Sequence, residues 1–438
     1  MLKNKEVKGA LLLALTSLLT GGVQAQGLGN SPYSRLGLGE FNANTGGVRQ
    51  MGMGGVGIAA PNSVNVNELN PAMLYYVGRT TFEAGYTAQY KTVQNATSEN
   101  KTGSGTLGYL ALALPLSKKW GAAVGLKPLS AVDYEANVVQ GVTGAPDDSQ
   151  VLKQYRGTGG IAEAYLAQGL QLTKRFSVGF TAAYAFGTVD ETTGTAIQTG
   201  SGNLSSKVVE RDHTRYSDFT FKAAAHYRQN LGDKLNLNVG GVYSFGSNLT
   251  GTRLTTQERQ DANGAVLGLP IETVNGKGTS VLPAMVQGGL SIDNGRNWSI
   301  SLDAARQEWS KFNSFGSSSF PLENTTRVAL GSEFVPDPSS VEHYFRRVSY
   351  RAGISVAQLP YRPGGQTLYD RAVSWGFGFP LPNATPTEAT TVSLAFTYGI
   401  RGNTDLLSNG GSNVQETYIK GQVGFTINNR WFIKRRLQ

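Results

Sequence analysis

From about residue 80 onward, the chain consists of segments of about ten residues in which apolar side chains alternate with small or polar ones. In residues 176–186, for example, aromatic and aliphatic side chains occupy every even position. A period of two is typical of a β-strand with two unlike faces. We count fourteen such segments, give or take about two, beginning near Thr80, Thr106, Gly121, Glu163, Phe176, Ser217, Leu235, Val281, Trp298, Arg327, Val348, Val373, Thr391 and Thr417.

The composition limits the chemistry that the chain can carry. Its 438 residues include no cysteine, which excludes disulfide scaffolds, cysteine-ligated metals and cysteine nucleophiles. Only 3 histidines are present, and none has the spacing of a metal or catalytic motif. Charged residues make up 16%, below the roughly 25% usual in soluble domains. We therefore predict no metal, no cofactor and no enzymatic activity, and a surface that faces something other than water.

The connections between the segments sort into two kinds. Those after even-numbered segments are mostly tight, as in Ser117-Lys118-Lys119, and those after odd-numbered segments are expected to be long. This sorting is typical of an outer-membrane barrel, and hydrocarbon does not tolerate an open sheet edge. Residues 80–438 are therefore predicted to form an all-β, transmembrane antiparallel β-barrel of about 14 strands. The expected long connections are 94–104, 137–160, 189–216, 247–279, 311–324, 360–371 and 402–416.

The first 25 residues have the pattern of a cleaved export signal. Three lysines precede an apolar run at residues 9–20, which is too short to span a membrane as a helix. Small residues ending at Ala25 predict cleavage before Gln26. Export and a membrane barrel together predict the bacterial cell outer membrane as the location, with its lipid as a partner.

Residues 26–79 lack the strand pattern and are rich in Gly and Asn. A segment of this length is predicted to fill part of the barrel lumen as a hatch or plug. Its glycine run formally matches a dinucleotide-binding fingerprint, but no buried strand precedes it, so close packing against the barrel wall is preferred. The Asn-Pro-Ala sequence near its end either ties the hatch to the wall or simply initiates a turn. The residues assigned to the hatch motif are Gly52, Gly54, Gly55, Gly57, Asn70, Pro71 and Ala72.

The glycine run at residues 51–57 and Asn70-Pro71-Ala72 before the first strand resemble the outer-membrane long-chain fatty-acid transporter (FadL-like) family. The sequences at 31–39 and 430–434 resemble its Bacteroidota branch. The resemblance covers the whole mature chain in layout, with specific motifs in residues 31–72 and the last strand. It implies a fourteen-strand barrel with an N-terminal hatch that passes hydrophobic compounds rather than ions. Members of this branch also resemble accessory barrels of type IX secretion or barrel-assembly machines.

Pro128 lies in the third predicted strand, where it cannot donate a ladder hydrogen bond, so the wall must bulge or part. The resemblance implies that a kink here, at Lys127 and Pro128, opens a lateral exit from the lumen to the membrane. The alternative is a bulge at the barrel rim, where such features are common.

Basic residues gather in the short turns and in the C-terminal tail, on the predicted periplasmic side. In the tail, this basic rim consists of Lys434, Arg435 and Arg436. Attraction to anionic lipid headgroups is one explanation, and docking of a periplasmic protein is the other. Nucleic acid is not expected as a partner, because an exported barrel meets none and the charges form no single helix face.

Two functions fit this sequence. The first is passive uptake of hydrophobic small molecules through the hatch and the lateral opening. The second is a structural or accessory subunit of an outer-membrane protein complex, such as type IX secretion or barrel-assembly machinery. A mobile hatch and an apolar tunnel favour the first, whereas a sealed lumen and a stable complex favour the second.

Overall fold

Fourteen antiparallel strands form a closed barrel in the computed structural model, which confirms the predicted fold class and strand count. The structure describes residues 30–35, 38–41, 46–141, 149–198, 206–261, 263–315, 321–382, 388–407 and 411–429. Two strands, β7 and β8, are each interrupted by a short break. The strands are β1 (Thr80–Gln94), β2 (Glu99–Ser117), β3 (Trp120–Gly141), β4 (Gln150–Gln171), β5 (Phe176–Gln198), β6 (Lys207–Asn230), β7 (Asn236–Ser244 and Ser247–Gln260), β8 (Ile271–Leu282 and Met285–Asp293), β9 (Trp298–Gln307), β10 (Thr325–Phe334), β11 (Ser349–Gln358), β12 (Tyr369–Leu381), β13 (Ala389–Gly402) and β14 (Gln415–Asn429).

The barrel closes between its first and last strands. β14 pairs with β1 from Gln415 opposite Gln94 to Asn429 opposite Thr80. Helices are few and short in the described part of the chain, and none of them is long and apolar enough to cross a membrane. They are the α-helical turn α1 (Val48–Met51) and the 3-10 helices Pro32–Arg35, Pro71–Tyr76, Trp309–Lys311, Tyr344–Arg347 and Pro363–Gly365.

Side chains along each strand alternate between the outside and the inside of the barrel, as predicted. On β5, Phe180 and Tyr184 are exposed, whereas Ser177, Ala183 and Ala185 are buried. The outer surface is therefore an apolar belt, while glycine and small polar residues face inward.

The strands differ greatly in length. β3 to β8 form what we name the tall wall, and β9 to β14 with β1 and β2 form the short wall. β6 has 24 residues, whereas β9, β10 and β11 have 10 each. At about 3.3 Å per residue, β6 is about 80 Å long, although about 9–11 residues suffice to cross a membrane. The tall wall therefore extends well beyond the apolar belt.

Several predicted long connections are wrong, because strand pairing continues through most of 137–160, 189–216 and 247–279. β3 and β4, for example, remain paired up to Gly141 opposite Gln150. Above the belt the outer face is polar, so the apolar alternation that identifies strands in the sequence disappears. β1 and β2 are likewise joined by residues 95–98 rather than by the predicted 94–104. The tight connections after even-numbered strands are confirmed, as between Ser117 and Trp120.

The N-terminal segment, meaning residues 30–79 so far as they are described, packs against the inward face of the barrel. Wall glycines allow the close approach: Gly331 and Gly353 lie against Met53, and Gly376 lies against Gly52. A Cβ atom at Gly331 or Gly353 would overlap the backbone of the segment.

An apolar cluster joins the upper part of the tall wall to this segment. All six tall strands contribute inward side chains, among which Ile161 and Leu249 are fully buried. The N-terminal segment adds Leu38, and the β9–β10 connection packs against the cluster from the short wall. The cluster therefore ties the N-terminal segment and the β9–β10 connection to the inner face of the tall wall. Its members are Leu38, Leu129, Val132, Tyr134, Ile161, Ala185, Val189, Tyr216, Leu249 and Leu282, flanked by Phe41, Tyr155, Phe312 and Phe315.

Candidate functional site

The ladder between β2 and β3 ends part-way up the barrel. The two strands pair from their turn to Leu110 opposite Leu126, and the described residues show no pairing between them beyond that point. β2 continues alongside β1 to Glu99, and β3 continues alongside β4 to Gly141. The strands therefore separate where the short wall meets the tall wall, and we name this place the seam.

Each strand turns away from the seam at a β-bulge. On β3 the register against β4 shifts between Pro128 and Ser130. On β2 the register against β1 shifts around Gly108. A bulge bends its strand and interrupts pairing, so the two bulges together explain why the ladder ends. Pro128 thus lies beside the seam, and its role in a lateral exit stays a prediction.

The N-terminal segment occupies the edge of β3 that the seam leaves unpaired. Glu40–Phe41 forms a short antiparallel strand against residues 130–131. Further up, the Ser31 amide donates a hydrogen bond of 2.7 Å to the Asp133 carbonyl. An exposed strand edge is a site for pairing, and here the chain fills that site with its own residues.

A buried charge cluster fastens the same part of the segment to the short wall. Arg401 on β13 lies 2.7 Å from the Glu40 carboxylate. It also lies 3.0 Å from Asp370 and 3.4 Å from Glu416. Burial alone raises the pKa of Glu40, but the charge of Arg401 outweighs burial and holds that pKa well below its usual range. Glu40 is therefore ionised and paired at neutral pH.

Lys127 links the wall to the N-terminal segment directly beside the seam. Its ammonium group lies 3.5 Å from Glu163 on β4 and 3.7 Å from Glu68 of the segment. The Tyr165 hydroxyl also donates to Glu68, at 3.4 Å. Burial raises the pKa of the Glu68 carboxyl, while the charge of Lys127 acts in the opposite direction.

The glycines of the predicted hatch motif lie against the wall, and their role as a hatch stays a prediction. Gly54 and Gly55 have φ angles of 73° and 76°, a region where other residues are strained. The Gly54 amide donates to the Ser374 hydroxyl at 2.6 Å, and the Gly57 amide donates to Asp303 at 2.7 Å.

Asn70-Pro71-Ala72 combines a turn with a tie to other residues. The Asn70 side chain caps the following 3-10 helix by accepting from the Ala72 amide at 2.9 Å. The same side chain donates to the Ile58 carbonyl at 2.7 Å. Wall glycines of β4 and β5 lie against Pro71 and Ala72.

Two wall carboxylates that the sequence analysis missed also bind the segment. Glu333 on β10 lies 2.7 Å from Arg49 of the segment and 2.8 Å from Arg351 of the wall, and both arginines are buried. Asp303 on β9 accepts from the amides of Gly57 and Ile58, at 2.7 and 3.0 Å. The sequence does carry a signal for both carboxylates. Each is a charged residue at an inward strand position, and such a charge needs a partner inside a membrane barrel.

A cavity of about 300 Å³ lies behind the seam. Phe41 and Trp309 contribute apolar surface, Arg327 and Lys420 contribute charge, and Pro128 borders the cavity at the seam. This volume is at the lower end of the roughly 300–1,000 Å³ typical of small-molecule sites. The lining is mixed rather than uniformly apolar, so the cavity suits a small molecule better than a long aliphatic chain.

The histidines lie apart from this site. His213 pairs with Asp190 on the outer face of the tall wall, and His226 packs against Tyr76. His343 lies in the β10–β11 connection. Within the described ranges, no group of three or more His, Asp or Glu residues could hold a metal ion.

The predicted signal sequence and the tail residues Lys434, Arg435 and Arg436 lie outside the described residues. In the described turns, Lys118, Lys119 and other basic residues are exposed. The basic rim stays a prediction.

Comparison with known proteins gives a family and a likeness of fold. A family model described as BamG matches residues 5–438. No curated protein matches the chain. Among similar solved structures, the CymD monoaromatic hydrocarbon channel is 18% identical, with a TM-score of 0.53 and coverage of 90% of this chain and 100% of that one. A Pseudomonas aeruginosa FadL homologue is 13% identical, with a TM-score of 0.59 and coverage of 89% and 99%. The P. putida toluene transporter TodX is 16% identical, with a TM-score of 0.56 and coverage of 89% and 100%.

At these identities the likeness to solved structures shows the fold alone. It confirms the barrel architecture expected from the resemblance to FadL-like proteins, while the Bacteroidota branch stays a prediction. The first and third of these proteins are described as a channel and a transporter. The family match, in contrast, extends over almost the whole chain. On that match, the chain belongs to the BamG family.

Proposed function

We propose that this protein is an outer-membrane barrel through which hydrophobic small molecules pass passively and leave through the seam. The observation that carries the proposal is the parting of β2 and β3 beside a cavity of about 300 Å³. The apolar outer belt supports a membrane location. Channels for monoaromatic hydrocarbons and toluene that share the fold support the class of ligand.

In this mechanism residues 26–79 act as the hatch, and Lys127 and Pro128 border the lateral opening. The ligand enters the cavity, the part of the segment at Glu40–Phe41 leaves the edge of β3, and the ligand moves sideways into the bilayer. A two-residue strand and the Glu40–Arg401 pair hold this part of the segment. Movement of this part therefore leaves the contacts made by Glu333 and Asp303 intact.

A disulfide lock tests the lateral route, because the natural chain has no cysteine. Phe41→Cys combined with Ser130→Cys places two thiols at directly paired positions. In proteoliposomes, influx of N-phenyl-1-naphthylamine is expected to be several-fold slower in the oxidised protein than in the reduced protein. Equal influx in both states would exclude passage through the seam.

The control lock joins two outward positions of the short wall. Leu302→Cys combined with Leu330→Cys links β9 to β10 at directly opposed residues. Oxidation of this pair is expected to leave influx unchanged, since neither residue borders the seam or the cavity.

A second function, that of an accessory subunit in an outer-membrane protein complex, is favoured by how firmly the N-terminal segment is bound. The buried pair between Glu333 of the wall and Arg49 of the segment opposes displacement of the whole segment. The match to the BamG family gives this alternative weaker support. Purification from native membranes in mild detergent, followed by mass spectrometry, separates the two functions. A stoichiometric outer-membrane or periplasmic protein and no probe influx would favour the second function over the first.

A further inference from the structure

The outer face of the tall wall carries basic residues immediately above the apolar belt. Arg211, His213 and Arg215 occupy successive outward positions of β6, alternating with the inward Thr214 and Tyr216. Alternate residues of a strand are about 7 Å apart, so these three side chains form a row about 13 Å long. A fourth basic residue is exposed on β4, which β5 separates from β6. We name these residues the outer basic patch: Arg156, Arg211, His213 and Arg215.

The patch begins where the aromatic part of the belt ends. Phe219 and Phe221 are the next large outward residues of β6, and 55% and 42% of their surfaces are exposed. Phe219 also contacts Tyr184 of β5, with ring centroids 5.2 Å apart. Aromatic side chains concentrate at the boundary between hydrocarbon and headgroups. Arg215 therefore lies at headgroup level, on the side of the belt away from the tight turns.

A groove of about 370 Å³ is formed by residues of β4, β5, β6 and β7. Arg156, Arg211 and His213 line it together with hydroxyl groups, including those of Thr158 and Thr192. Such a groove offers both charged donors and neutral donors to an anionic, hydroxyl-rich headgroup.

Acidic residues pair with two of the four members of the patch, and Glu135 lies directly opposite a third, Arg156, in the β3–β4 ladder. Arg211 lies 2.8 Å from Glu258, and His213 lies 2.6 Å from Asp190. Glu191 and Asp212 also border the groove, where Glu191 accepts from Tyr134 and Asp212 accepts from Thr255. Among the described residues, no carboxylate lies within ion-pair distance of either remaining arginine of the patch. Those two arginines are Arg156 and Arg215.

We propose that the outer basic patch binds the phosphate groups of a phosphorylated glycolipid in the outer leaflet. The acyl chains of this lipid would pack on the aromatic surface of Phe219, Phe221 and Tyr184. Arginine suits the task because its planar fork donates two hydrogen bonds to one phosphate. Free phosphate would gain the charge contacts but not the apolar ones. The proposal rests on the proposed outer-membrane location and is independent of ligand passage through the seam.

The test combines Arg156→Gln, Arg211→Gln and Arg215→Gln in one protein. Binding of a purified diphosphorylated outer-membrane glycolipid is measured in detergent and compared with its dephosphorylated form and with inorganic phosphate. Because three cationic contacts to the phosphates are lost, affinity is expected to fall at least about tenfold. The wild-type protein should also retain the glycolipid through purification, as seen by native mass spectrometry.

The matched control carries Arg306→Gln and Arg371→Gln, which alter outward arginines of the short wall and are expected to leave affinity unchanged. Replacement of the three patch arginines by lysine keeps the charge but loses the planar fork, so affinity should fall by less than in the glutamine variant, and this comparison holds even if the glutamine variant folds poorly. Unchanged affinity in the glutamine variant, or equal binding of the dephosphorylated lipid, would overturn the proposal. Full displacement of the glycolipid by inorganic phosphate would reduce the patch to a free-anion site and also overturn it. Probe influx in the same variants is expected to be unchanged. Failure of the proposed passage through the seam can therefore be distinguished from failure of the proposed glycolipid binding.

Discussion

The short wall and the tall wall of the same barrel hold the N-terminal segment by different means. On the short wall, Asp303, Glu333 and Arg401 bind it through buried charges and hydrogen bonds. On the tall wall, apolar packing around Ile161 and Leu249 holds it, in addition to the ion pair between Lys127 and Glu68. The short strands end near the edge of the belt and have little further surface to bury, so directed polar contacts provide the attachment. The tall strands rise above the belt and bury apolar side chains there, which needs no directed partner.

The seam lies where these two walls meet. β2 follows the short wall, β3 follows the tall wall, and the upper edge of β3 therefore has no neighbouring barrel strand. An uncovered edge would pair with other chains, and Glu40–Phe41 covers it. The site is thus a consequence of the two bulges, which turn β2 toward the short wall and β3 toward the tall wall.

The largest effect is expected from neutralising Glu333, the carboxylate of the short wall that pairs with two buried arginines. Glu333→Gln leaves Arg49 and Arg351 buried without a charged partner, which costs about 3–5 kcal/mol of unfolding free energy. The matched change on the tall wall is Glu258→Gln, whose partner Arg211 is half exposed, and it should cost less than about 1 kcal/mol. Denaturant unfolding in detergent measures both. Equal losses would show that buried charge does not distinguish the walls.

The apolar attachment of the tall wall is tested by Leu249→Ala. Leu249 is fully buried in the apolar cluster, so its truncation should cost about 3 kcal/mol. Hydrogen exchange should rise in the upper halves of β6, β7 and β8 and remain slow in the short wall. Leu302→Ala, at an outward and exposed position of β9, serves as the control and should leave exchange unaltered. A uniform rise through both walls would contradict independent attachment.

Gly353→Val tests how closely the backbone of the N-terminal segment approaches the short wall. The added side chain overlaps the segment at Met53 and Gly54, and such overpacking costs about 1–3 kcal/mol. Protease cleavage within the N-terminal segment should become faster. Gly288→Val, whose added Cβ meets no atom within 4 Å, should behave as wild type. Unaltered cleavage in the Gly353 variant would mean that the segment is looser than the structure indicates.

The smallest effect is expected at Asn70. Asn70→Ala removes the cap of the 3-10 helix and should cost about 1 kcal/mol. Asn70→Ser keeps a capping oxygen but cannot reach the Ile58 carbonyl, so an intermediate loss of unfolding free energy is expected. If the serine variant were less stable than the alanine variant, the cap would not be the main contribution.

Patterns along the chain predicted most of the barrel. The alternation in residues 176–186 depends only on neighbouring residues, because successive side chains of a strand face opposite sides. The tight turns, such as Ser117-Lys118-Lys119, depend on neighbouring residues as well. The predicted long connections were wrong at 189–216, because a strand with a polar outer face loses the apolar period although its pairing continues.

By itself, the sequence determined the closed barrel of fourteen strands, its apolar belt and the position of Pro128 beside a bulge. Only the tertiary structure decided which edge the N-terminal segment covers and which charges pair. Glu40 and Arg401 are separated by most of the chain, yet they lie 2.7 Å apart because the barrel brings β13 to the segment. The alternation says which way a side chain points, but the partner it meets across the lumen depends on strand register and barrel closure.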